Sequence, residues 1–117
     1  MKEEKQPDGI SVHTGFPNPA TDTSLRSLDL NQLLIQHSAS TYFFRVRGDQ
    51  WQNDGVFDGD IAIVDRSLDP RKNDTVIWWD EHQDNFAISP YRSMPAGATL
   101  WGVISSTIHQ FRKINHE

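Results

Sequence analysis

Residues 48–65, GDQWQNDGVFDGDIAIVD, constrain the fold more than any other part of the sequence. Two Asp-Gly pairs, Asp54-Gly55 and Asp58-Gly59, stand just before the apolar run at 61–64. Asp-Gly pairs favour tight turns, because glycine accepts a positive φ and aspartate can hydrogen-bond the nearby backbone. The stretch therefore predicts a turn-rich loop that leads into a buried β-strand.

The remaining pattern predicts a mainly β domain with one short helix. The helix is expected over residues 28–37, with Asp29 as N-cap, Gln32 in capping-box register and an apolar face of Leu30, Leu33 and Leu34 that packs on a sheet. Runs rich in β-branched and aromatic residues predict strands at 41–46, 60–64, 74–79, 85–89 and, as one long or bent strand, 99–111. The third and fourth strands are expected to form a hairpin.

Length and charge limit the classes of protein that this chain can represent. Its 117 residues predict a single domain, residues 14–117, after a flexible N-terminal arm at 1–13. A net charge of −5 and scattered basic residues argue against direct nucleic-acid binding. The sequence has no cysteine, no secretory leader and no apolar run near the ~18 residues that a membrane span needs, so a cytoplasmic protein is expected.

The Asp-Gly stretch resembles the active-site segment of the UmuD/LexA family, the self-cleaving serine–lysine proteins of the bacterial DNA-damage response. That segment reads roughly G-[DM]-S-M-x-x-x-G-I-x-D-G-D-x-x-[IV]-V-D, with serine as the nucleophile. The positions that match are Gly48, Asp49, Gly55, Asp58, Gly59, Asp60, Val64 and Asp65. The resemblance implies the curved, twisted sheets of the LexA/UmuD C-terminal domain, with one short helix.

Two further motifs occur in the family's order. Residues 14–20, TGFPNPA, resemble the UmuD cleavage region and place its cleavage site at Thr14-Gly15. Residues 29–37 match the family run D-L-N-Q-L-L-I-Q-H. The chain has no room for the helix-turn-helix domain of a LexA-type repressor, so the resemblance favours the UmuD arrangement.

The resemblance also implies that the catalytic dyad is lost. Gln50 stands at the nucleophile position, and Trp51 replaces the methionine beside it. Ser89 stands where the pattern F-T-V-K-K has its general-base lysine. A carboxamide cannot form an acyl intermediate, and a hydroxyl without a base is not activated at neutral pH. These positions predict a pseudoenzyme.

No other constellation supplies the missing chemistry. Ser89 has no neighbouring base, and Lys72 and Lys113 are expected at exposed ends of elements. The five histidines lack zinc-ligand spacing, so no metal site and no cofactor are expected. The carboxylates of Asp58, Asp60 and Asp65 are expected at turns and strand ends, with Asp65 facing Arg66 or Arg47.

Several aromatic residues are candidates for contacts with other chains. Trp51 either belongs to the core or partly fills the family cleft, which otherwise holds the Thr14-Gly15 segment of its own or a partner's arm. Trp78 and Trp79 are adjacent in a strand and point to opposite faces, so one of them is an interface candidate if the core is not two-sided. Trp101 is expected in the core, and Phe111 at a dimer contact.

The sequence therefore predicts a non-catalytic UmuD-like accessory or regulatory subunit of SOS mutagenesis. By resemblance, its partners would be a second copy of itself, an active UmuD or LexA homologue, the RecA filament, or a Y-family translesion polymerase. Two alternatives stay open. One is a self-cleaving or trans-acting serine peptidase with residual activity, and the other is a mobile-element antagonist of host UmuD or LexA.

Overall fold

The computed structural model describes residues 29–112, which form a mainly antiparallel β structure with one short helix, as predicted. The chain divides into two compact units, residues 1–33 and 34–117. No helix between residues 29 and 112 is long and apolar enough to cross a membrane. The helix and strands are α1 (Leu30–Leu34), β1 (Thr41–Arg45), β2 (Ile61–Asp65), β3 (Thr75–Asp80), β4 (Asn85–Pro90) and β5 (Thr99–Ile108).

Helix α1 is half as long as the sequence pattern predicts. Its N-cap is confirmed, because Asp29 Oδ1 accepts a hydrogen bond from the Asn31 amide at 3.0 Å. The helix ends at Leu34, and the chain then turns into a single 3-10 turn, Ser38–Ser40. One and a half turns bury little surface, and Leu30 and Leu33 are more than half exposed.

The five strands form one sheet in the order β1-β2-β5-β3-β4, with every neighbouring pair antiparallel. Strand β5 is the long central strand. Its C-terminal half pairs with β2, and its N-terminal half pairs with β3. The register shifts once in each pairing, so that Ser105 and Trp101 are the extra residues of two bulges. Such bulges increase the local twist of a strand. The strand was expected to be long or bent over 99–111, and it ends three residues earlier, at Ile108.

The two faces of the sheet carry two hydrophobic clusters. Alternation along β3 decides which face a side chain joins, since Ile77 enters one cluster while Val76 and Trp78 enter the other. The first core cluster consists of Val46, Val56, Ala62, Val64, Ile77, Ile88 and Ile104. The second core cluster consists of Val76, Trp78 and Val103. The core of this domain is thus two-sided.

The paired tryptophans of β3 both contact their own sheet. Trp78 is buried in the second core cluster and donates its indole N–H to Ser89 Oγ at 3.0 Å. Trp78 therefore packs within its own chain. Trp79 is half-buried, and its ring meets Phe86 edge-on with centroids 5.0 Å apart.

Gly102 of β5 has no room for a side chain. A Cβ at this position would lie 2.6 Å from Val64 Cγ1 and 3.3 Å from Arg66 Cγ. Val64 is fully buried and cannot move into solvent. A larger residue at 102 would therefore force β5 away from β2.

Gly102→Ala is expected to destabilise the protein by about 1–3 kcal/mol, the usual cost of overpacking a filled core. Urea unfolding at pH 7 measures this free energy. In the double variant Gly102→Ala/Val64→Ala the removed methyl groups make room, so the two changes should cost less together than their sum. Strict additivity would show that the contact with Val64 is not the cause.

Candidate functional site

The Asp-Gly stretch forms a loop that backbone and side-chain hydrogen bonds close at its base. The Gly48 amide donates to Asp58 Oδ1 at 2.7 Å. The Val46 amide donates to the carbonyl of Asp60 at 2.8 Å, and the Gly59 amide donates to the carbonyl of Val46 at 2.8 Å. These bonds bring the two ends of the loop together and confirm the predicted turn-rich loop.

Glycine is required at three positions of this loop. Gly48, Gly55 and Gly59 adopt φ values of +98°, +82° and +89°, which favour glycine strongly. At Gly48 a Cβ would also collide with the side-chain amide of Gln50, which lies over this glycine. Asp49, between them, is exposed. The loop backbone thus has the glycine positions of the motif, and Gln50 carries a carboxamide where the resemblance expects the nucleophile.

Asp60 anchors the loop from inside the protein. Its side chain is fully buried, and Oδ2 accepts a hydrogen bond from the Phe57 amide at 2.9 Å. The other oxygen, Oδ1, lies 2.5 Å from Nδ1 of His109, just beyond the end of β5. A buried carboxylate is costly unless it is bonded in this way. Asp60 therefore ties the loop to the far end of β5.

Asp65 holds the other end of β2 in a similar arrangement. Its Oδ2 lies 2.7 Å from His37 Nδ1, and its Oδ1 accepts hydrogen bonds from Ser67 N at 2.9 Å and Ser67 Oγ at 2.6 Å. The expected partners were Arg66 or Arg47, and this expectation is wrong. Arg66 instead stacks over Trp101, 4.1 Å from the ring centroid.

Burial raises the pKa of Asp65, but the hydrogen bonds from Ser67 and His37 and the nearby His37 charge outweigh burial and lower the pKa below its ordinary 3.8. A carboxyl group whose folded pKa is lowered stabilises the protein above its unfolded pKa. That stabilisation is lost as the pH falls through the folded pKa. The contacts of the Asp65 carboxylate at the end of β2 are therefore expected to weaken in acid.

We expect the free energy of unfolding to fall more steeply below about pH 4 in the wild type than in Asp65→Asn. Urea titrations from pH 6 to pH 2 measure the two slopes. Asp49→Asn, which removes an exposed carboxylate, serves as the matched control and should keep the wild-type slope. Equal slopes in the wild type and Asp65→Asn would contradict the assignment.

Beside the loop lies a cleft of about 460 Å³. Strand β1 forms one wall, the loop contributes Gln50 and Trp51, and β4 contributes Phe86 and Ile88. Trp51 is half-buried and packs against the first core cluster, so its indole forms part of the cleft wall and of the core at once. The described lining residues are Phe43, Phe44, Arg45, Val46, Arg47, Gln50, Trp51, Ala62, Ile77, Asn85, Phe86 and Ile88.

The structure does not bring Gln50 and Ser89 together. Strand alternation points Phe86 and Ile88 into the cleft, while Ser89 lies on the other face. There Ser89 Oγ accepts the indole N–H of Trp78 and donates to the carbonyl of Pro90, both at 3.0 Å. Strand β4, NFAISP, contains no lysine.

The side chains that line the cleft are aromatic, aliphatic, amide or guanidinium groups. Among the described lining residues none is serine, threonine, cysteine, lysine, histidine or a carboxylate. Arginine does not deprotonate at physiological pH and cannot act as a general base. The arrangement can bind an extended chain or a flat group, but it contains no nucleophile–base pair.

The remaining residues singled out from the sequence differ in their exposure. Lys72 is exposed, as expected, and Phe111 is 93% exposed at the end of the described chain. Trp101 is half-buried against the first core cluster, with its ring centroid 5.0 Å from that of Phe44. The arm at 1–13, the Thr14-Gly15 segment and Lys113 lie outside the described residues.

The roles of His37 and His109 escaped the sequence analysis. These histidines are 28 and 49 residues from the aspartates they contact. No short motif links a residue to a partner at such a separation. The only local signal was that Asp60 and Asp65 stand at the two ends of an apolar run.

A comparison of the sequence with models of known protein families supports the resemblance that the motif loop indicated. The model of the "Peptidase S24-like" family matches residues 9–89, more than two thirds of the chain. The chain belongs to the Peptidase S24-like family. The resemblance inferred from the loop motif is thereby confirmed, and the antiparallel sheet with one short helix is consistent with the fold of this family.

Individual relatives point to the UmuD branch of the Peptidase S24-like family. The chain is 34% identical to Protein ImpA of Escherichia coli over 118 aligned positions, covering 86% of this chain and 80% of ImpA. It is 32% identical to Protein SamA of Salmonella typhimurium strain LT2, covering 84% and 80%. A shorter match, 35% identical over 66 positions, covers 56% of this chain and 45% of Protein MucA of Escherichia coli.

Proposed function

We propose that this chain is a non-catalytic UmuD-like subunit of SOS mutagenesis, which acts in the cytoplasm through dimerisation and through binding of an error-prone translesion polymerase. The observation that carries this proposal is the cleft beside the family motif. Its fixed loop and its walls are present, while the described lining residues supply no nucleophile and no base. The likeness to ImpA, SamA and MucA supports the SOS setting.

The non-catalytic part of the proposal follows from reaction chemistry. Self-cleavage needs a hydroxyl that attacks the peptide carbonyl and an amine that accepts the hydroxyl proton. Gln50 offers a carboxamide, whose nitrogen is neither nucleophilic nor basic at neutral pH. On β4, the side chains of Phe86 and Ile88 line the cleft and cannot take up a proton. Two independent losses on facing elements favour a binding role for the cleft.

The binding part rests on surface that the fold leaves accessible. Phe111 is almost fully exposed beside His109, with ring centroids 5.1 Å apart, and Phe57 contacts the other side of His109 at 5.5 Å. Large exposed aromatic side chains are common anchors of protein–protein interfaces. This aromatic group at the end of β5 is the proposed contact for a polymerase or a UmuD-family partner.

Incubation at alkaline pH, with and without a RecA–single-stranded DNA filament, is expected to leave the chain intact at 13.4 kDa. Intact mass spectrometry detects any cleavage. A UmuD homologue that retains its serine–lysine dyad, treated in parallel, shows that the filament and the conditions are active. A fragment beginning at Gly15 would overturn the non-catalytic assignment and favour the residual peptidase instead.

Phe111→Ser is expected to weaken binding to a purified Y-family polymerase or UmuD homologue at least about tenfold, since hot-spot aromatic residues commonly contribute this much. Surface plasmon resonance with the tagged chain measures the dissociation constant. Leu68→Ser, which removes another exposed apolar side chain, in the connection after β2, is the matched control. If neither class of partner binds the wild type, the SOS role fails.

A further inference from the structure

The cleft beside the motif loop combines aromatic rings with arginine side chains. Its lining includes Phe44, Trp51 and Phe86 together with Arg45 and Arg47, and its volume is about 460 Å³. Pockets for small ligands span roughly 300–1,000 Å³, so this cleft has room for a nucleobase with its sugar. Aromatic side chains that stack on bases, beside cations that attract phosphate, are the common means by which proteins bind unpaired nucleotides.

Two of these rings belong to a continuous row of aromatic side chains that crosses the sheet, here called the aromatic row. The ring centroid of Phe44 in β1 lies 5.7 Å from that of Phe86 in β4 and 5.0 Å from that of Trp101 in β5. The row continues from Trp101 to Tyr42 at 5.2 Å and from Phe86 to Trp79 at 5.0 Å. All five residues keep solvent-accessible surface, so a base that enters the cleft meets aromatic surface that it can cover.

Three arginines approach the cleft or the aromatic row. Arg45 and Arg47 are exposed at the cleft, and the Arg45 guanidinium donates to the carbonyl of Gly59 at 2.9 Å, which holds it against the motif loop. Arg66 lies 4.1 Å from the ring centroid of Trp101 and donates to the carbonyl of Trp101 at 2.7 Å. In the sequence the basic residues are scattered, which argued against nucleic-acid binding, but the sheet gathers these three around one row of rings.

The described lining of the cleft is positively charged, although the whole chain has a net charge of −5. It contains two arginines and no carboxylate. Exposed carboxylates stand just outside it, where Asp49 precedes Gln50 in the motif loop and Asp84 precedes Asn85 on the β3–β4 hairpin. The local charge therefore attracts a phosphate inside the cleft and disfavours one beyond its ends, so contact with a few nucleotides is expected, without a long basic track.

We propose that the cleft binds an unpaired nucleotide, with the base against Trp51 and the aromatic row and the phosphate at Arg45 and Arg47. The side-chain amides of Gln50 and Asn85 line the same cleft, and amides supply the donors and acceptors that pair with base edges. The nucleotide belongs either to a single strand or to the free pool, whereas a base inside a duplex is stacked and cannot reach the rings. This inference names a ligand class for the cleft and rests on its proposed binding role.

The side chains of the cleft suit a nucleotide better than an extended peptide. A peptide that adds to a sheet gains its affinity from backbone hydrogen bonds along an edge strand. The described lining instead presents rings and guanidinium groups, which match the two parts of a nucleotide, its flat base and its anionic phosphate. Because β1 is an edge strand of the sheet, a peptide is the competing occupant, and the experiment includes one.

Fluorescence anisotropy of a short fluorescein-labelled oligothymidylate, titrated with the full chain, tests the phosphate contacts. Two contacts predict that binding weakens about sevenfold between 50 mM and 200 mM salt, because each contact to a single strand contributes about −0.7 to the logarithmic salt slope. Arg47→Gln should weaken binding and make this slope shallower by about 0.7, a change that a merely structural role would not produce. Arg71→Gln, the same substitution at an exposed arginine outside the cleft, should bind like the wild type.

Trp51 tests the stacking contact. Trp51→Leu should weaken binding of the oligothymidylate at least about fivefold, and Trp51→Phe, which keeps an aromatic ring, should restore most of the affinity. Because Trp51 lines the cleft, a stacked base should quench tryptophan fluorescence in the wild type and quench it less in Trp51→Phe. Circular dichroism melting curves of all variants identify any that fail to fold.

Thymidine monophosphate and a duplex of the same length distinguish the sources of the nucleotide. A strand that binds at least about tenfold more tightly than the monophosphate identifies single strands as the ligand, and equal affinities identify the free nucleotide. Binding of neither, equal binding of the duplex, or quenching only by a capped peptide of alternating glutamate and phenylalanine would each overturn the proposal. Surface plasmon resonance with the polymerase and the UmuD homologue, on the same variants, tests the proposed function independently.

Discussion

A buried carboxylate, Asp60, connects parts of this domain that are far apart in sequence. It lies between the loop that precedes β2 and the end of β5, and it bonds to both. Burying a charge is unfavourable unless hydrogen bonds replace the lost hydration, so the loop and His109 must both be in place for the fold to be stable. The loop that carries the family motif is thus part of the folding unit.

At the other end of β2, the buried carboxylate of Asp65 is likewise bonded to distant and nearby partners, His37 and Ser67. The central region of the sheet is therefore bracketed by two aspartate–histidine contacts, each joining a strand end to a distant segment. The contacts also explain why the part of β2 between the two aspartates, residues 61–64, can be wholly apolar. Its ends are fixed by polar bonds, while Ala62, Ile63 and Val64 are buried between its neighbours.

In the cleft, the backbone features of the family motif occur together with side chains other than serine and lysine. Tight turns, positive-φ glycines and the closing bond from Gly48 to Asp58 depend on backbone geometry, and all are present. Nucleophile and base depend on single side chains, which can change without disturbing the turns. The cleft can therefore keep its shape when the side chains at these positions change, and Trp51 forms part of its wall.

Most of the sheet was predictable from the sequence, because strand alternation and turn chemistry are local properties. The bounds of β1 to β4 differ from the predicted runs by a residue at most, whereas α1 is shorter than its pattern, since five residues without buried side chains gain little from continuing a helix. The Asp-Gly loop and the family resemblance likewise followed from contiguous residues.

Only the tertiary structure decided which distant groups meet. It paired Asp65 with His37, where an arginine was expected. It buried Trp78 in the second core cluster. It placed Ser89 on the face of the sheet opposite the cleft that Gln50 lines. It also placed Arg92 beside Lys72, twenty residues earlier in the sequence. These outcomes depend on register, bulges and strand order, where a shift of one residue moves a side chain to the opposite face.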